Sequence, residues 1–330
     1  MTMPAEWQPH AGTIMGYPHT TYDGEVSLDV ARAAWGAVAK AIQRFEPVTM
    51  VVHPDDRAVF DRDLGSSVQG IEVPLDDAWL RDTGPTFVVR EGALHAVDWT
   101  FNGWGAQDWA DWQHDAELAR FLSSHFGAPV SSSTLVNEGG GIEVDGTGLL
   151  VVTETVQLDP HRNGSWTKRQ VEAELMTQLG VDKPIWIPRG LAGDYGPFAT
   201  RGHVDLVVKF IAAGVALVHR QTNRNHPDYE LFGEVSRLLA ARGVEVIPLN
   251  GPTRIDLNGS LCDWSYVNSY PTNGGLIVGT FNDEADDAAM ATLAEAFPGR
   301  ELAPVDASVL FSLGGGVHCI TQQIPSVKES

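Results

Sequence analysis

The sequence has few cysteines, few basic residues and no long apolar run, and each shortage narrows the class of protein. Cys262 and Cys319 could form at most one disulfide, so free thiols are expected. The chain has 22 Lys and Arg residues against 43 Asp and Glu, a formal charge of −21. That balance argues against nucleic acid and anionic membranes as partners. No stretch approaches the roughly 20 apolar residues of a membrane span.

The N-terminus has neither a basic region nor an apolar segment of the kind that directs secretion. A cytoplasmic location is therefore expected. Because 43% of the residues are hydrophobic and only 20% are charged, the chain can bury a large core and is expected to fold. No Pro/Gly/Ser-rich linker or low-complexity run divides it. The sequence therefore predicts a single domain over 1–330.

Amphipathic periodicity predicts five helices, each followed by a β-rich run. The predicted helices are 26–44, 112–126, 167–179, 228–242 and 284–296. In the second, Leu118, Phe121 and Leu122 have the i, i+3, i+4 spacing of a buried stripe. Pro298-Gly299 predicts the end of the fifth helix.

Pairs of β-rich segments separated by short turns lie between successive helices. The predicted hairpins are Thr86–Val89 with Leu94–Trp99, Ile142–Val144 with Leu149–Thr153, Val204–Phe210 with Val215–His219, and Tyr266–Ser269 with Leu276–Thr280. Helix, strand and hairpin recur at a spacing of roughly 55–60 residues over the last four units, which is typical of a repeat architecture. Five such units would close into a propeller if Val317–Ile320 paired with Thr13–Tyr17. The alternative is an open, doubly wound α/β sheet.

Polar side chains precede several of these hairpins, and in a closed repeat they would meet near the central axis. They are Asp82, Glu138, His203 with Asp205, and Cys319. If His203 and Asp205 lie in one strand, their side chains point to the same face. Glycines beside Glu138 and before Cys319 allow close backbone approach to a ligand. Cys262 has no such turn before it and is interpreted as structural.

The sequence contains no P-loop, and Gly139-Gly140-Gly141 does not fit the dinucleotide fingerprint. The paired spacings of zinc sites, such as C-x-x-C or H-E-x-x-H, are also missing. No metal and no organic cofactor is therefore predicted.

The motifs resemble those of the agmatine deiminase and bacterial-type peptidylarginine deiminase family, which belongs to the pentein superfamily. The resemblance extends almost from end to end. The matching segments are 3–10 (MPAEWQPH), 77–86 (DAWLRDTGPT), 138–140 (EGG), 186–191 (WIPRGL), 202–205 (GHVD), 265–268 (SYVN) and 318–323 (HCITQQ). The resemblance implies a five-bladed, pseudo-symmetric α/β propeller of ββαβ units.

By the same resemblance Cys319 matches the nucleophile and His203 the general acid and base. Asp82 and Asp205 match the carboxylates that hold the guanidinium, and Glu138 matches the acidic residue beside the histidine. The implied reaction is hydrolytic deimination of a small cationic guanidino compound. With agmatine the products are N-carbamoylputrescine and ammonia, a step of putrescine biosynthesis and polyamine metabolism. The carboxylates can hold a planar guanidinium through paired hydrogen bonds.

The chain departs from that family near the substrate tail. Gly316 stands where relatives acting on agmatine usually have Asn, and Arg201 adds a cation just before His203. Arg201 is interpreted either as a surface charge with an acidic partner or as a contact for a substrate carboxylate. The ammonium of agmatine could instead meet Asp77 or Asp194, with Trp79 against its methylenes.

Other functions remain open at this point. The alternatives are deimination of free or peptidyl arginine or of another guanidino metabolite, amidino transfer to an amine, and a propeller that only binds ligands. A homo-oligomer is expected because homo-oligomers are common among soluble proteins.

Overall fold

A computed structural model describes residues 1–21, 26–257 and 260–327. Within these residues the fold is mixed α/β. The strands, in chain order, are β1 His10–Gly16, β2 Val48–Val52, β3 Gln69–Glu72, β4 Thr86–Arg90, β5 Ala93–Thr100, β6 Val130–Val136, β7 Glu143–Val144, β8 Leu150–Thr153, β9 Ile185–Ile187, β10 Val208–Ala212, β11 Val215–Arg220, β12 Glu245–Asn250, β13 Asp256–Leu257, β14 Ser260–Leu261, β15 Tyr270–Thr272, β16 Gly275–Thr280, β17 Glu301–Asp306 and β18 Thr321–Pro325.

Helices of very different lengths connect these strands. They are α1 Leu28–Ile42, α2 Arg57–Asp63, α3 Leu80–Thr83, α4 Gly103–Ala106, α5 Asp115–His125, α6 Glu154–Gln157, α7 Pro160–Asn163, α8 Lys168–Leu179, α9 Leu231–Ala240, α10 Asp286–Ala296 and α11 Ser308–Ser312. Short 3-10 turns lie at Pro54–Asp56, Gly139–Gly141, Ala192–Tyr195 and Val204–Leu206. The five longest helices, α1, α5, α8, α9 and α10, confirm the five predicted from periodicity.

Four of the sheets share one topology: an antiparallel hairpin, then a long helix, then a third strand parallel to the second. They are β4-β5-β6, β7-β8-β9, β10-β11-β12 and β15-β16-β17. The connecting helices are α5, α8, α9 and α10. The predicted repeat of hairpin, helix and strand is therefore confirmed.

The first sheet has the same elements in a different chain order. Its strands are ordered β18-β1-β2-β3, with β18 antiparallel to β1, and α1 connects β1 to the parallel strand β2. The pairing of a C-terminal with an N-terminal strand is confirmed, but the predicted segment Val317–Ile320 is wrong. The pairing strand is Thr321–Pro325, and Thr321 lies opposite Met15.

Local sequence explains where the elements begin and end. Helix α8 starts with a capping box between Thr167 and Gln170 and stops at Gly180, which has a left-handed φ of 65°. In β2 every residue is buried, as expected of a parallel strand that is covered on both faces. Side chains of β2 contribute to the largest hydrophobic cluster, together with α1 and the strands of the β10 and β15 sheets.

Three further sequence predictions were wrong in detail. Phe121 is 40% exposed, because the buried side of α5 carries Leu118 and Leu122 and residue 121 lies about 100° away from 122 around the helix axis. Residues 204–206 form a 3-10 turn rather than a strand. Tyr266–Ser269 precedes its hairpin, whose first strand is β15, and Asn273-Gly274 forms the turn.

Among the described residues no helix combines the length and apolar character that a bilayer crossing requires. The cytoplasmic location and the homo-oligomer stay predictions.

Candidate active site

One narrow cavity contains the predicted nucleophile. Half of its lining residues are aromatic, and the lining consists of Trp79, Asp82, Trp104, Trp109, Phe198, Thr200, Gly314 and Cys319. Asp82 is the charged group in this lining. His203, Asp205 and Glu138 lie behind this surface and are buried.

The backbone of Gly140 shows how tightly three of these side chains converge. A β-carbon at this position would lie 2.5 Å from His203 Nδ1, 3.0 Å from Asp82 Oδ1 and 3.1 Å from Asp205 Oδ2. No side chain fits there. The glycine-rich turn predicted from sequence therefore allows an imidazole and two carboxylates to meet at one point.

Cys319 is 5% exposed, and hydrogen-bond donors surround its sulfur. Gly316 N lies 3.3 Å and Asn268 Nδ2 3.4 Å from Sγ, and the thiol can donate to Asp205 Oδ2 at 3.7 Å. Burial, followed by the negative charges of Asp205 and Asp82, raises the pKa of the thiol well above its ordinary value. The raised pKa favours the neutral thiol of Cys319.

His203 lies between two carboxylates. Its Nε2 is 3.3 Å from Glu138 Oε2 and its Nδ1 is 3.8 Å from Asp82 Oδ2. Burial lowers the pKa of the imidazole, but the charges of Asp82 and Glu138 outweigh burial and raise it to about 9. The ring is therefore protonated at neutral pH. Within the described part of the chain, the buried Nδ1 has no hydrogen-bond partner, which leaves it available to a ligand.

Glu138 is fixed by a buried cation. Arg162 Nε lies 2.9 Å from Glu138 Oε1, and neither side chain is exposed to solvent. Burial raises the pKa of Glu138, but Arg162 and His203 more than offset it and lower the pKa to about 2. Arg162 is held in turn by Asp159 at 2.9 Å and by the carbonyl of Thr200 at 2.7 Å. Glu138 is therefore an ionised carboxylate in contact with His203.

Asp82 and Asp205 have different partners. Asp82 accepts only neutral donors in the described structure, Gly140 N and Trp104 Nε1, both at 2.9 Å. Burial raises the pKa of Asp82, and His203 only partly opposes it. Asp205 Oδ2 lies 2.7 Å from His318 Nδ1 and accepts from Asn268 Nδ2 at 3.1 Å. Its buried Oδ1 has no partner among the described residues.

Trp104 reaches Asp82 from an unusual backbone. The φ angles of Gly103, Trp104, Gly105 and Ala106 are 66°, 54°, 88° and 54°, so α4 is one turn of left-handed helix. Left-handed φ costs roughly 1–2 kcal/mol for each non-glycine residue. Phe198 and Arg201 in the facing loop also have positive φ, of 61° and 68°. The backbone strain of the fold is thus concentrated around this cavity.

The candidates for binding the substrate tail are distributed unevenly. Trp79 lines the cavity. Asp77 faces a neighbouring cavity on the other side of Trp109, together with Asp76 and Asp111. Burial raises the pKa of Asp77 to about 8.

Asp194 and Arg201 lie outside the lining of both cavities. The carboxylate of Asp194 accepts from Thr200 N, Thr200 Oγ1, Gly202 N and His203 N, so it orders the loop before His203. Arg201 donates to the carbonyl of Gly105 at 3.2 Å and lies 3.5 Å from Asp159. Arg201 therefore has an acidic partner, Asp159, as its interpretation as a surface charge predicts.

Sequence reasoning did not identify four residues of the site: Trp104, Arg162, Asn268 and His318. Asn268 had a usable signal, because it precedes β15 as Cys319 precedes β18 and Asp205 precedes β10. Arg162 and Trp104 lie in irregular segments where neither periodicity nor a motif marks them.

In the described part of the chain, one group has ligand atoms close enough together for a metal ion: His19, His53 and Asp56. Asp56 already interacts with Arg32 and with His19 Nδ1, at 2.5 and 2.6 Å. The group lies outside the cavity of Cys319.

Comparison with known proteins agrees with this geometry. The model of the Porphyromonas-type peptidyl-arginine deiminase family matches residues 2–325. The "Putative agmatine deiminase" of Streptomyces coelicolor is 49% identical over 98% of this chain and 98% of its own. The agmatine deiminase of Stutzerimonas stutzeri is 39% identical over 98% of this chain and 95% of its own.

A solved structure of the agmatine deiminase of Enterococcus faecalis superimposes with a TM-score of 0.92 at 30% identity, over 99% of this chain and 96% of that one. The chain is thus similar to agmatine deiminases over nearly its whole length, and it belongs to the Porphyromonas-type peptidyl-arginine deiminase family.

Proposed function

We propose that this protein hydrolyses agmatine to N-carbamoylputrescine and ammonia, with Cys319 as the nucleophile. The convergence of a thiol, an imidazole and three carboxylates on one aromatic cavity carries the proposal. Relatives that match nearly the whole chain are agmatine deiminases.

Substrate binding brings a positive charge close to Asp82, Asp205 and the Cys319 thiol. A guanidinium placed against Asp82 and Asp205 donates paired N–H groups to carboxylate oxygens, including the unpaired Asp205 Oδ1. Its positive charge offsets the two carboxylates that raise the pKa of the Cys319 thiol. The thiol proton then leaves to bulk water, and a thiolate forms only when substrate is bound.

In the first half-reaction the Cys319 thiolate adds to the guanidinium carbon and gives a neutral tetrahedral adduct. The protonated His203 donates its proton to one amino group, the C–N bond breaks, and ammonia leaves. The product is a cationic amidino-thioether on Cys319. Glu138, ionised and 3.3 Å from His203, stabilises the proton donor before transfer.

In the second half-reaction the neutral His203 takes a proton from water, and the hydroxide adds to the same carbon. Collapse of this adduct breaks the C–S bond and forms the ureido carbonyl, while the hydroxyl proton returns to the sulfur. The released ammonia takes up the proton that the thiol lost at the start. His203 is again protonated, and the site is restored.

The lining of the cavity favours agmatine over arginine. None of the eight lining residues is cationic, so the carboxylate of arginine would have no opposite charge there. Arg201 is engaged by Asp159 and by the carbonyl of Gly105. Beyond Trp109 the neighbouring cavity is lined by Asp76, Asp77 and Asp111, whose carboxyl oxygens can accept hydrogen bonds from the ammonium of agmatine. Trp79 would pack against the methylenes between the two cations.

We also propose that the five sheets surround one axis as the blades of a single propeller domain. The support is positional. Asp82, Glu138, Asp205, Asn268 and Cys319 each lie two to five residues before the first hairpin strand of a different sheet: β4, β7, β10, β15 and β18. Five equivalent positions that supply one site indicate pseudo-fivefold symmetry.

The test is the formation of ammonia and of a ureido product from agmatine, arginine and peptidyl-arginine. We expect agmatine to be the best substrate, and Cys319→Ser to lose more than about a thousand-fold in kcat. Cys262→Ser is the matched control and should keep wild-type turnover, because Cys262 lies outside the cavity. Preference for arginine would keep the mechanism and refute the substrate. Inactivity of the wild type on every guanidine would refute the proposed function.

A further inference from the structure

His318 immediately precedes the nucleophile, yet its side chain bridges two buried carboxylates. Its Nδ1 lies 2.7 Å from Asp205 Oδ2 and its Nε2 lies 2.6 Å from Glu6 Oε1. The residue is 1% exposed. A neutral imidazole has one N–H, so only the protonated ring can donate to both carboxylates at once. The ring therefore connects the two carboxylates through its two nitrogens.

Glu6 is itself held in place by cations. Arg81 Nη2 and Lys209 Nζ both lie 2.8 Å from its carboxylate, and all three side chains are buried. Burial raises the pKa of Glu6, but His318, Lys209 and Arg81 bring it well below its ordinary value. Glu6 is therefore a fixed anion. It can orient the His318 ring from the side opposite Asp205.

The consequence lies at Asp205. Oδ2 of Asp205 is occupied by His318, Asn268 and the Cys319 thiol, whereas Oδ1 has no partner among the described residues. A partial rotation of the carboxylate about the Cβ–Cγ bond would turn the free oxygen away from its present direction. The short contact to His318 opposes that rotation.

We propose that His318, oriented by Glu6, is a positioning residue that holds Asp205 with one oxygen free for the substrate guanidinium. This inference rests on the proposed function, because it assigns Asp205 to guanidinium binding.

The charge of Asp205 supports the same conclusion. Burial raises the pKa of Asp205, but the hydrogen bond and charge of His318, together with the charges of His203 and Lys209, outweigh burial and leave the pKa below its ordinary value. The other ionisable groups that act on Asp205 or respond to it are Asp82, Asp263 and Cys319. Asp82, whose hydrogen-bond donors are neutral, has a raised pKa instead. Of the two aspartates, Asp205 is thus the one whose pKa favours the ionised carboxylate before substrate binds.

Two isosteric substitutions of His318 test the roles of its two ring nitrogens separately. In His318→Asn the amide nitrogen replaces Nδ1 and can still donate to Asp205, while in His318→Gln it replaces Nε2 and reaches only toward Glu6. We expect the Asn variant to keep KM for agmatine within about three-fold. We expect the Gln variant to raise KM by about 10- to 100-fold, as for a lost hydrogen bond to a charged group, with a smaller fall in kcat.

The pH profile supplies a readout that a purely structural role would not change. Loss of the His318 interaction raises the pKa of Asp205, so the acid limb of kcat/KM should move to higher pH in His318→Gln, and less in His318→Asn. Glu6→Gln weakens the interaction of Glu6 with the His318 ring but leaves His318 itself unchanged. It should move the acid limb of kcat/KM in the same direction. This variant tests the inference even if a His318 variant does not fold.

His10 provides the matched control. It is also buried, with Nδ1 2.9 Å from the Glu46 carboxylate and Nε2 2.8 Å from the carbonyl of Glu6. His10→Gln should lower the melting temperature and leave KM and the acid limb unchanged.

The outcomes separate the two claims. If the wild type turns over agmatine but the Asn and Gln variants of His318 are impaired equally with an unchanged acid limb, the positioning role is wrong. If the wild type turns over no guanidine, the proposed function fails, and the inference fails with it.

Discussion

At the scale of single residues, the negative charge around Cys319 has two opposite effects. In the proposed mechanism Asp205 and Asp82 hold the guanidinium, yet both raise the pKa of the Cys319 thiol that would attack it. Their charges therefore favour the protonated thiol in the free protein. Such a site protects the thiol from oxidants and alkylating agents until a cation binds, since the thiolate is the reactive form.

This conflict predicts that Asp205→Asn changes two rates in opposite directions. Turnover of agmatine should fall by at least about 100-fold, because a charge-assisted contact to the guanidinium is lost. Alkylation of Cys319 by iodoacetamide at pH 8 should become faster, by about ten-fold for each unit by which the thiol pKa falls. The alkylation rate can be followed by mass spectrometry in a Cys262→Ser background.

Asp145→Asn is the control for this experiment. Asp145 is buried like Asp205 but caps the turn before β8 through Thr147 and Leu149, outside the cavity of Cys319. It should leave alkylation unchanged. Slower alkylation in Asp205→Asn than in the wild type would contradict the electrostatic account of the thiol.

At the scale of elements, the short helix α7 anchors the site to its sheet. Asp159 caps its first turn by accepting from His161 N at 2.8 Å, and Pro160 occupies the first helical position. Asn163 bonds both the N–H and the carbonyl of Val136 at the end of β6. The helix thus holds Arg162 in contact with Glu138.

Arg162→Met should destabilise the whole fold. The substitution keeps much of the side-chain volume but removes the cation that accompanies buried Glu138. Breaking a buried pair in this way costs about 3–5 kcal/mol, which would appear as a lower midpoint in urea denaturation. Lys168→Met removes an exposed pair with Glu154 and should change the free energy of unfolding by less than about 1 kcal/mol. Equal midpoints for the two variants would contradict this reading of α7.

Regular elements were predictable from the sequence, and irregular ones were not. Helices α1, α5, α8, α9 and α10 have strong 3.6-residue periodicity and clear end signals, so their positions were confirmed within a few residues. The 3-10 turn at Val204–Leu206 and the left-handed turn α4 were missed. Their conformations depend on contacts with distant residues, such as Trp104 with Asp82, which short-range patterns do not contain.

At the scale of the whole molecule, the site is supplied by segments from one end of the chain to the other. Glu6 and His318 are in contact although 312 residues separate them. Sequence repetition predicted that Asp82, Glu138, His203, Asp205 and Cys319 would come together, and the structure places them around one point. Repetition did not reveal His318 and Arg162, because their roles depend on contacts with particular side chains of other segments. Asn268 occupies a repeat position, and that signal was missed.

Strand β18 closes the first sheet and is predicted to be indispensable. Truncation after Ile320 removes Thr321–Pro325 but retains every residue of the proposed catalytic set. It leaves the edge of β1 unpaired and removes Gln322 and Gln323, which accept hydrogen bonds from Arg81. We expect loss of agmatine turnover and a melting temperature lower by about 10 °C or more, measured by circular dichroism. Truncation after Val327, which keeps β18, is the control. Wild-type stability without β18 would show that closure of the first sheet is dispensable.

The aromatic wall of the cavity has a consequence for observing the protein. Three of its ten tryptophans, Trp79, Trp104 and Trp109, line the space that a guanidinium would enter. Indole emission responds to nearby charge and to the exclusion of water, so the intrinsic fluorescence of the protein would change as the cavity fills. The chain therefore carries its own optical probe of occupancy, and a stopped-flow trace without any label could separate ligand entry from the chemical steps that follow.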